Sequence, residues 1–362
     1  MSQQVQRVKV WGNLLTEVVR TNACVSCGAC AAVCPVLSIA FVEDKPTLAS
    51  VCIGCGMCYS NCPRAGFDDS AVEQTVFGRN RTSKENYLGI YQSIYSGRSK
   101  DRQVLSKCQD GGMATSLLIA FLNAHAGSRA VVSSLEQGTW HPIPRVATSR
   151  DEVLAAAGSK YTPSPSIEGV RSASLEYRRD SSWVGEIALV GTPCQMRAMR
   201  KMQVSEYSPT RLLENERLSV GLFCFETFDY KSLKTYLEGR KIDLKGITRM
   251  EIKGGRFRVF RESEVVHDVA ISKLDDIVRP CCLSCTDFTA EFSDISLGSA
   301  GSPDGMNTII VRTEKGKQIL DAAIEQGLVE IRPMADTEPG ISEIARLARM
   351  KKNRAKKGTS TD

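Results

Sequence analysis

Apolar and polar residues along this chain fall into short blocks whose period changes several times. Met113, Leu117, Leu118, Phe121 and Leu122 recur at the spacing of one helix face, so a helix is predicted from residue 113. Residues 129–133, 186–191 and 218–223 are apolar runs closed by polar or glycine positions, as buried strands are. Residues 151–157, 230–237 and 315–326 read as helices, and 306–312 and 328–331 as strands. Residues 250–252 and 257–260 flank the turn Lys253-Gly254-Gly255-Arg256 and predict a hairpin. From residue 112 onward strands and helices alternate, so a mixed α/β (α+β) core with an antiparallel part is expected.

Both ends depart from this rhythm. Near the N-terminus, residues 37–42 and 47–51 are short strand candidates around a turn at Glu43, Asp44 and Lys45. Residues 76–103 are polar without a lasting period and read as a linker over a surface. At the C-terminus, Ile341, Ile344, Leu347 and Met350 form an apolar stripe amid Arg346, Arg349, Lys351, Lys352, Arg354, Lys356 and Lys357. That is a basic amphipathic helix fading into a disordered tail, suited to a partner subunit, an anionic membrane surface or plain solvent. The expected division is 1–75, a linker 76–106, a main domain 107–335, and helix and tail 336–362.

Composition narrows the class. At 362 residues the chain exceeds a single core, so two or more domains are expected. No apolar run is long enough to span a bilayer, and the opening MSQQVQRVKVWG lacks the apolar core of a secretory signal. A net charge of +6, with the positive residues concentrated locally, fits nucleic acid poorly. His125, His141 and His267 have no partners in sequence that suggest a metal site.

The fourteen cysteines carry the chemistry. CVSCGACAAVCPV and CIGCGMCYSNCPR each follow C-x₂-C-x₂-C-x₃-C-P, the spacing of a bacterial-type ferredoxin with two [4Fe-4S] clusters. The fourth cysteine of such a run serves the other cluster. One cluster is thus expected on Cys24, Cys27, Cys30 and Cys62, the other on Cys52, Cys55, Cys58 and Cys34. Gly28 and Gly56 permit the tight turn within each run, and Pro35 and Pro63 fix the chain leaving it. A pair of structural zinc sites is the competing reading, though zinc sets usually lack this crossed pattern. Thiolate ligands imply a reducing compartment, either cytoplasm or the cytoplasmic face of a membrane complex.

Further along, Gly111 and Gly112 open a helix with Thr115 and Ser116 in its first turn. This is an anion or cofactor site, or simply a turn capping a packed helix. After Gly158, Ser159 leads into Lys160 and Tyr161, which suit a phosphate and a flavin ring or a solvated turn. EIALVGTPCQ runs from a strand into a helix start at Thr192 and Pro193, with Cys194 and Gln195 in the first turn. Asp294 and Gly298 bracket a small-residue strand, with Gly301 beyond, and suit close approach of a planar cofactor. Cys194, Cys224, Cys282 and Cys285 together supply four thiols from three places, enough for a cubane or zinc. Cys281 is the alternate, and Cys108 reads as a buried or flavin-proximal thiol outside any cluster.

With these residues assembled, the chain resembles the family of beta subunits of coenzyme F420-reducing hydrogenase. The carriers are CQDGG with Thr115 and Ser116, GSKY at 158–161, GTPCQ at 191–195, GLFC at 221–224, and CLSCTDF and DISLG between 282 and 298. With the ferredoxin module in front, the layout looks most like the F420H2-oxidising input subunits of archaeal F420H2 dehydrogenase. The resemblance implies FAD and F420 binding in the main domain, with the flavin near Gly111, Gly112, Ser159, Lys160, Tyr161, Thr192 and Pro193. It also implies a third [4Fe-4S] cluster on Cys194, Cys224, Cys282 and Cys285. Electrons would pass from F420H2 to FAD, to the third cluster, to the N-terminal pair, then to a respiratory complex, another subunit or a ferredoxin. Related proteins run electrons the other way, as ferredoxin-dependent reductases of organic substrates. A third possibility is an electron-transfer subunit whose main domain is only a scaffold.

Overall fold

Eight strands assemble into one mixed sheet that organises the computed structural model, which describes residues 8–179, 185–208 and 216–358. In chain order the strands are β1 (Ile39–Val42), β2 (Lys45–Leu48), β3 (Ser93–Ser99), β4 (Arg129–Leu135), β5 (Pro142–Ala147), β6 (Ile187–Gly191) and β7 (Glu216–Leu222). They continue with β8 (Arg249–Lys253), β9 (Arg256–Arg261), β10 (Glu264–Ala270), β11 (Ile295–Gly298), β12 (Asn307–Val311) and β13 (Val329–Pro333). The large sheet has the order β13-β3-β12-β11-β7-β6-β4-β5. Its centre, β11-β7-β6-β4, is parallel, and its flanks are antiparallel. Parallel strands are covered on both faces, which is why Ile187, Ala188 and Leu189 are all buried. One face takes the helices Met113–Ala124 and Glu314–Glu325, the other Ser166–Arg179 and Pro193–Val204.

The cysteine-rich module packs on the second of these faces. Cys27, Ala29, Ala32 and Val33 share one apolar core with Val131, Ile167, Val170, Met196 and Met199. Its own elements are short, with β1 and β2 as an antiparallel pair. A smaller three-stranded sheet, β10-β9-β8, folds over the helix Tyr230–Glu238 around Phe228, Phe257 and Val259.

Several expectations are corrected. Residues 76–106 are no linker: β3 lies between β12 and β13 inside the large sheet. Its SIYSGRS sequence is too polar to read as a strand, yet Ser96 and Ser99 are buried. β5, with Pro142 and Pro144, was hidden by its prolines, which only an edge strand accommodates. The third strand of the small sheet, β10, is mostly part-exposed and has weak alternation. The C-terminal helix, Gly340–Gly358, does present a buried stripe, but it runs through Ile344, Ala348, Lys351 and Ala355. Ile341 and Met350, assigned to that stripe by sequence, are 41% and 48% exposed. The expected disordered tail at 359–362 lies outside the described residues.

Candidate functional site

Folding gathers twelve of the cysteines into three sets. Cys24, Cys27, Cys30 and Cys62 line one small apolar pocket together with Leu14, Val18, Gly28 and Phe41. Three of its thiols come from the first run and Cys62 from the second, as the crossed pattern requires. Cys58 faces Cys55, Cys52 and Cys34, which form the second set. Cys194 faces Cys285 and Cys282, and Cys224 faces Cys282, Cys194 and Cys285, which makes the third. The first set lies between the others, since Cys27 feels the charge of Cys194 and Cys30 that of Cys58.

Local backbone explains how the loops close. Gly28 and Gly56 both adopt left-handed conformations, φ 93° and 79°, at the N-caps of the short helices Ala29–Ala32 and Met57–Ser60. An added Cβ at Gly28 would stand 2.5 Å from the Pro165 carbonyl oxygen, so main-chain packing also requires glycine there. Backbone N–H groups of Ser26, Ser38 and Gly54 donate to the sulfurs of Cys24, Cys34 and Cys52 at 3.5, 3.3 and 3.4 Å.

The thiols' chemistry fits iron–sulfur ligation. Burial pushes Cys58 up to about 12 and Cys194 to about 11, and raises Cys27, Cys30 and Cys224 as well, with neighbouring sulfurs of each set adding to the rise. Such crowded, desolvated thiols ionise only in exchange for bound metal. Cys282 is the exception: a hydrogen bond from Cys281 lowers its pKa, while that of Cys281 moves upward. Among the described residues, no three His, Cys, Asp or Glu side chains form a group that could hold a metal ion. A cube of four irons sets its four sulfur ligands farther apart than one ion does, and an all-thiol donor set suits it.

Cations reach these loops from the main domain, and sequence reasoning missed them. Arg171 donates to the carbonyls of Ala31 (3.1 Å), Ala32 (2.9 Å) and Cys34 (2.6 Å). Arg279 donates to Cys24 O and Val25 O at 3.1 and 3.2 Å and to Ser26 Oγ at 2.7 Å. It also faces Cys281, Cys282 and Cys194, so it stands between the first and third sets. Lys201 donates to Cys62 O at 2.7 Å. Lys201 was findable, because it follows Cys194 by seven positions on one helix face. Nothing in sequence marked Arg171. Lys351, on the C-terminal helix, donates to Cys224 O at 2.5 Å. Burial opposes its charge, yet Cys285, Cys224, Asp287 and Cys282 outweigh that and raise its pKa.

The remaining candidates lie mainly along the C-terminal edge of the parallel strands, where α/β sheets place ligands. Thr192, Pro193 and Cys194 follow β6, Cys224 follows β7, and Gly111 and Gly112 sit beside Asn307 at the start of β12. Several of them serve the protein itself. Asn307 Oδ1 accepts the Met113 N–H at 3.1 Å, and Gly111 is closely enclosed by Asn307 and Gly97. Ser116 donates to Ser99 at 2.8 Å, and Thr115 is 8% exposed. Gln195 accepts the Thr192 N–H at 2.7 Å and donates to Ser164 O at 2.7 Å, a capping box closing the helix start. Tyr161 packs edge-on against Phe257, and its hydroxyl accepts the Ile252 N–H at 2.8 Å and donates to Gln109 at 2.5 Å. Lys160 turns back to the carbonyls of Ala156 and Ala157, and burial lowers it to about 8. Ser159 is exposed beside it. Cys108 donates to Asp110 O at 2.9 Å, apart from the three sets.

Two of the candidates do not fit this edge as ligands. Asp294 precedes β11 and so lies at the opposite edge, 1% exposed, paired with Arg200 at 2.9 Å and accepting from Ser219 N and Thr313 Oγ1 at 2.8 Å each. Gly298 is at the right edge, but the Phe223 ring would stand 2.1 Å from a Cβ there, so its smallness accommodates Phe223.

Comparisons with known proteins cover both the cysteine-rich module and the main sheet. Residues 94–171 and 184–337 match the family models for the N-terminal and C-terminal parts of the coenzyme F420 hydrogenase/dehydrogenase beta subunit. Residues 16–63 match a 4Fe-4S dicluster domain. A coenzyme F420 hydrogenase subunit beta from Methanothermobacter thermautotrophicus is 35% identical over 75% of this chain and 94% of its own. One of the subunits of the F(420)H(2) dehydrogenase of Methanosarcina mazei is 31% identical over 93% of this chain and 92% of its own. Among solved structures, a chain of the F420-reducing [NiFe] hydrogenase complex from Methanosarcina barkeri superposes with a TM-score of 0.68 at 34% identity, over 75% of this chain and 92% of that one.

Proposed function

Because the chain belongs to the family of coenzyme F420 hydrogenase/dehydrogenase beta subunits and is an enzyme of F420 redox chemistry, we propose that it oxidises F420H2 and delivers single electrons to a partner. The observation that carries this reading is the succession of cysteine sets. The third set adjoins the strand edge, the first is enclosed behind it, and the second opens to solvent through Cys52 and Cys55. A substrate-side entry and a surface exit are what such a succession serves.

FAD is the proposed mediator at the strand edge. When bound, a flavin exchanges electron pairs with the deazaflavin and single electrons with clusters. The chain's own part is placement. Ser159 and Thr192 supply polar groups along that edge, Gly111, Gly112, Pro193, Gln195 and Tyr161 shape its turns, and Thr115 and Lys160, turned inward, support them. Cys194, Cys224, Cys282 and Cys285 would hold the third [4Fe-4S] cluster, and Cys281 would donate to the Cys282 sulfur. Arg279, Arg171 and Lys201 offset the negative charge of thiolate-held clusters and fix their loops.

The partner is proposed to be a redox subunit, a respiratory complex at the cytoplasmic face of a membrane, or a ferredoxin. Among the described residues no helix is long and apolar enough to cross a membrane. Anaerobically prepared protein tests the proposal. About twelve iron atoms per chain and a yellow flavin bleached by F420H2 are expected. A flavin bleached by NADH alone, or about eight iron atoms with no flavin, overturns it. Bleaching only by reduced ferredoxin would favour the reverse direction.

A further inference from the structure

The C-terminal helix Gly340–Gly358 begins beyond residue 337, where the match to the family's C-terminal model ends. Its buried positions Ile344, Ala348, Lys351 and Ala355 occupy one face, and three of them are apolar. The fourth carries a charge. Lys351 is 1% exposed, and its ammonium donates to Cys224 O at 2.5 Å and Asp287 O at 2.7 Å. Three residues on, Arg354 donates to Phe225 O at 3.1 Å and Cys282 O at 3.3 Å, and pairs with Glu226. The helix therefore grips the backbone of two of the third set's four cysteines and a carbonyl just past a third, Cys285.

A buried ammonium bonded only to carbonyls is costly without an opposing charge. The acidic groups facing it are the sulfurs of Cys285, Cys224 and Cys282 and the carboxylate of Asp287, whose oxygens accept the Glu291 N–H. Had this face only apolar surface to cover, an apolar residue at 351 would do so without that cost.

We infer that the C-terminal helix is a clasp on the third cysteine site, with Lys351 a positioning residue that raises the site's reduction potential and Arg354 a brace for the Cys224 and Cys282 loops. The inference rests on the reading that this site holds a [4Fe-4S] cluster. Reduction adds one electron to an already negative cluster and makes or breaks no bond at Lys351. A nearby desolvated cation stabilises the reduced form more than the oxidised one.

The test uses full-length, anaerobically reconstituted protein, with redox titration followed by electron paramagnetic resonance and with iron analysis. Lys351→Met is expected to lower the midpoint of one cluster signal by at least tenfold in its equilibrium constant, about 59 mV for one electron. Lys351→Arg and the exposed same-helix control Lys357→Met are expected to keep it. Loss of about four iron atoms in Lys351→Met, but not in Lys351→Arg, would equally support the clasp. Unchanged midpoints and unchanged iron in Lys351→Met overturn it. Wild-type protein with only about eight iron atoms would instead overturn the underlying assignment of a third cluster.

Discussion

In the first cysteine run Cys27, Cys30 and Cys34 are buried, whereas in the second, identical in spacing, Cys52 and Cys55 are exposed. Arg171 and Arg279 hold the first run, and the Ile167 N–H donates to Cys27 O at 2.9 Å. Around the second lie Val51 and Ile53, 83% and 61% exposed. The difference reaches single backbone positions. Where the second run has Gly54 at φ 68°, the first has Ser26 at φ 53°, bonded to Asp44 O and Arg279. Left-handed backbone costs a non-glycine residue about 1–2 kcal/mol, and contacts with the rest of the chain offset that here. A repeat that is symmetric in its ligands becomes directional through its surroundings: one half faces inward and the other outward.

Substitutions that treat the halves alike should expose this asymmetry. The largest effect is expected from Cys27→Ser, which should remove about four iron atoms and stop electron delivery to any acceptor. Cys55→Ser should lose as much iron yet leave the inner clusters reducible by F420H2, a contrast visible by electron paramagnetic resonance. Equal loss of inner reduction in both would break the comparison.

Arg171→Ala should come next, lowering stability by about 3 kcal/mol in anaerobic denaturant unfolding, since three inward-run carbonyls lose a charged donor. Gly28→Ala should cost more than about 2 kcal/mol through its collision with Pro165 O, and Gly54→Ala only about 1 kcal/mol, because nothing lies within 4 Å of an added Cβ there. Similar costs for the two glycines would show that the main domain does not constrain the first run.

A smaller, pH-dependent tie joins the β1–β2 turn to the main domain. Asp44 Oδ1 accepts from His141 Nε2 at 2.8 Å, and this hydrogen bond raises the His141 pKa against the opposing effect of burial. A raised folded-state pKa stabilises fully below the unfolded value near 6.5, and the contribution is lost as pH rises through the folded value. His141→Asn should therefore remove about 1 kcal/mol of stability at pH 5.5 and little at pH 8.5. The smallest effect on the fold is expected from Val51→Ser with Ile53→Ser, within about 0.5 kcal/mol. The same pair should slow electron transfer to the partner while flavin bleaching by F420H2 keeps its rate.

Legibility followed the range of the interactions involved. Cysteine spacing is local, so the two N-terminal runs were legible from adjacent residues, and their crossed grouping was an expectation drawn from the ferredoxin pattern. The strands of the parallel centre were legible because residues buried on both faces are continuously apolar, as in IALV before Gly191. β3 was not, because its burial comes from β12 and β13, more than 200 residues onward. The strand-edge turns at Gly111 and Thr192 were found, but Asp294 was grouped with Gly298 although a strand runs from one sheet edge to the other between them. The basic C-terminal helix misled most, since a lysine in a helix reads as solvated until its burial is known.

By itself, the sequence determined which thiols are available, the spacing within each N-terminal run and the alternation that builds a mixed sheet, because each depends on neighbours within a few residues. Only the tertiary structure decided that the first run faces inward, that Arg279 stands between two cysteine sets and that Lys351 lies buried beside the third. Burial and charge proximity depend on segments hundreds of residues apart, and no local pattern encodes which of them will meet.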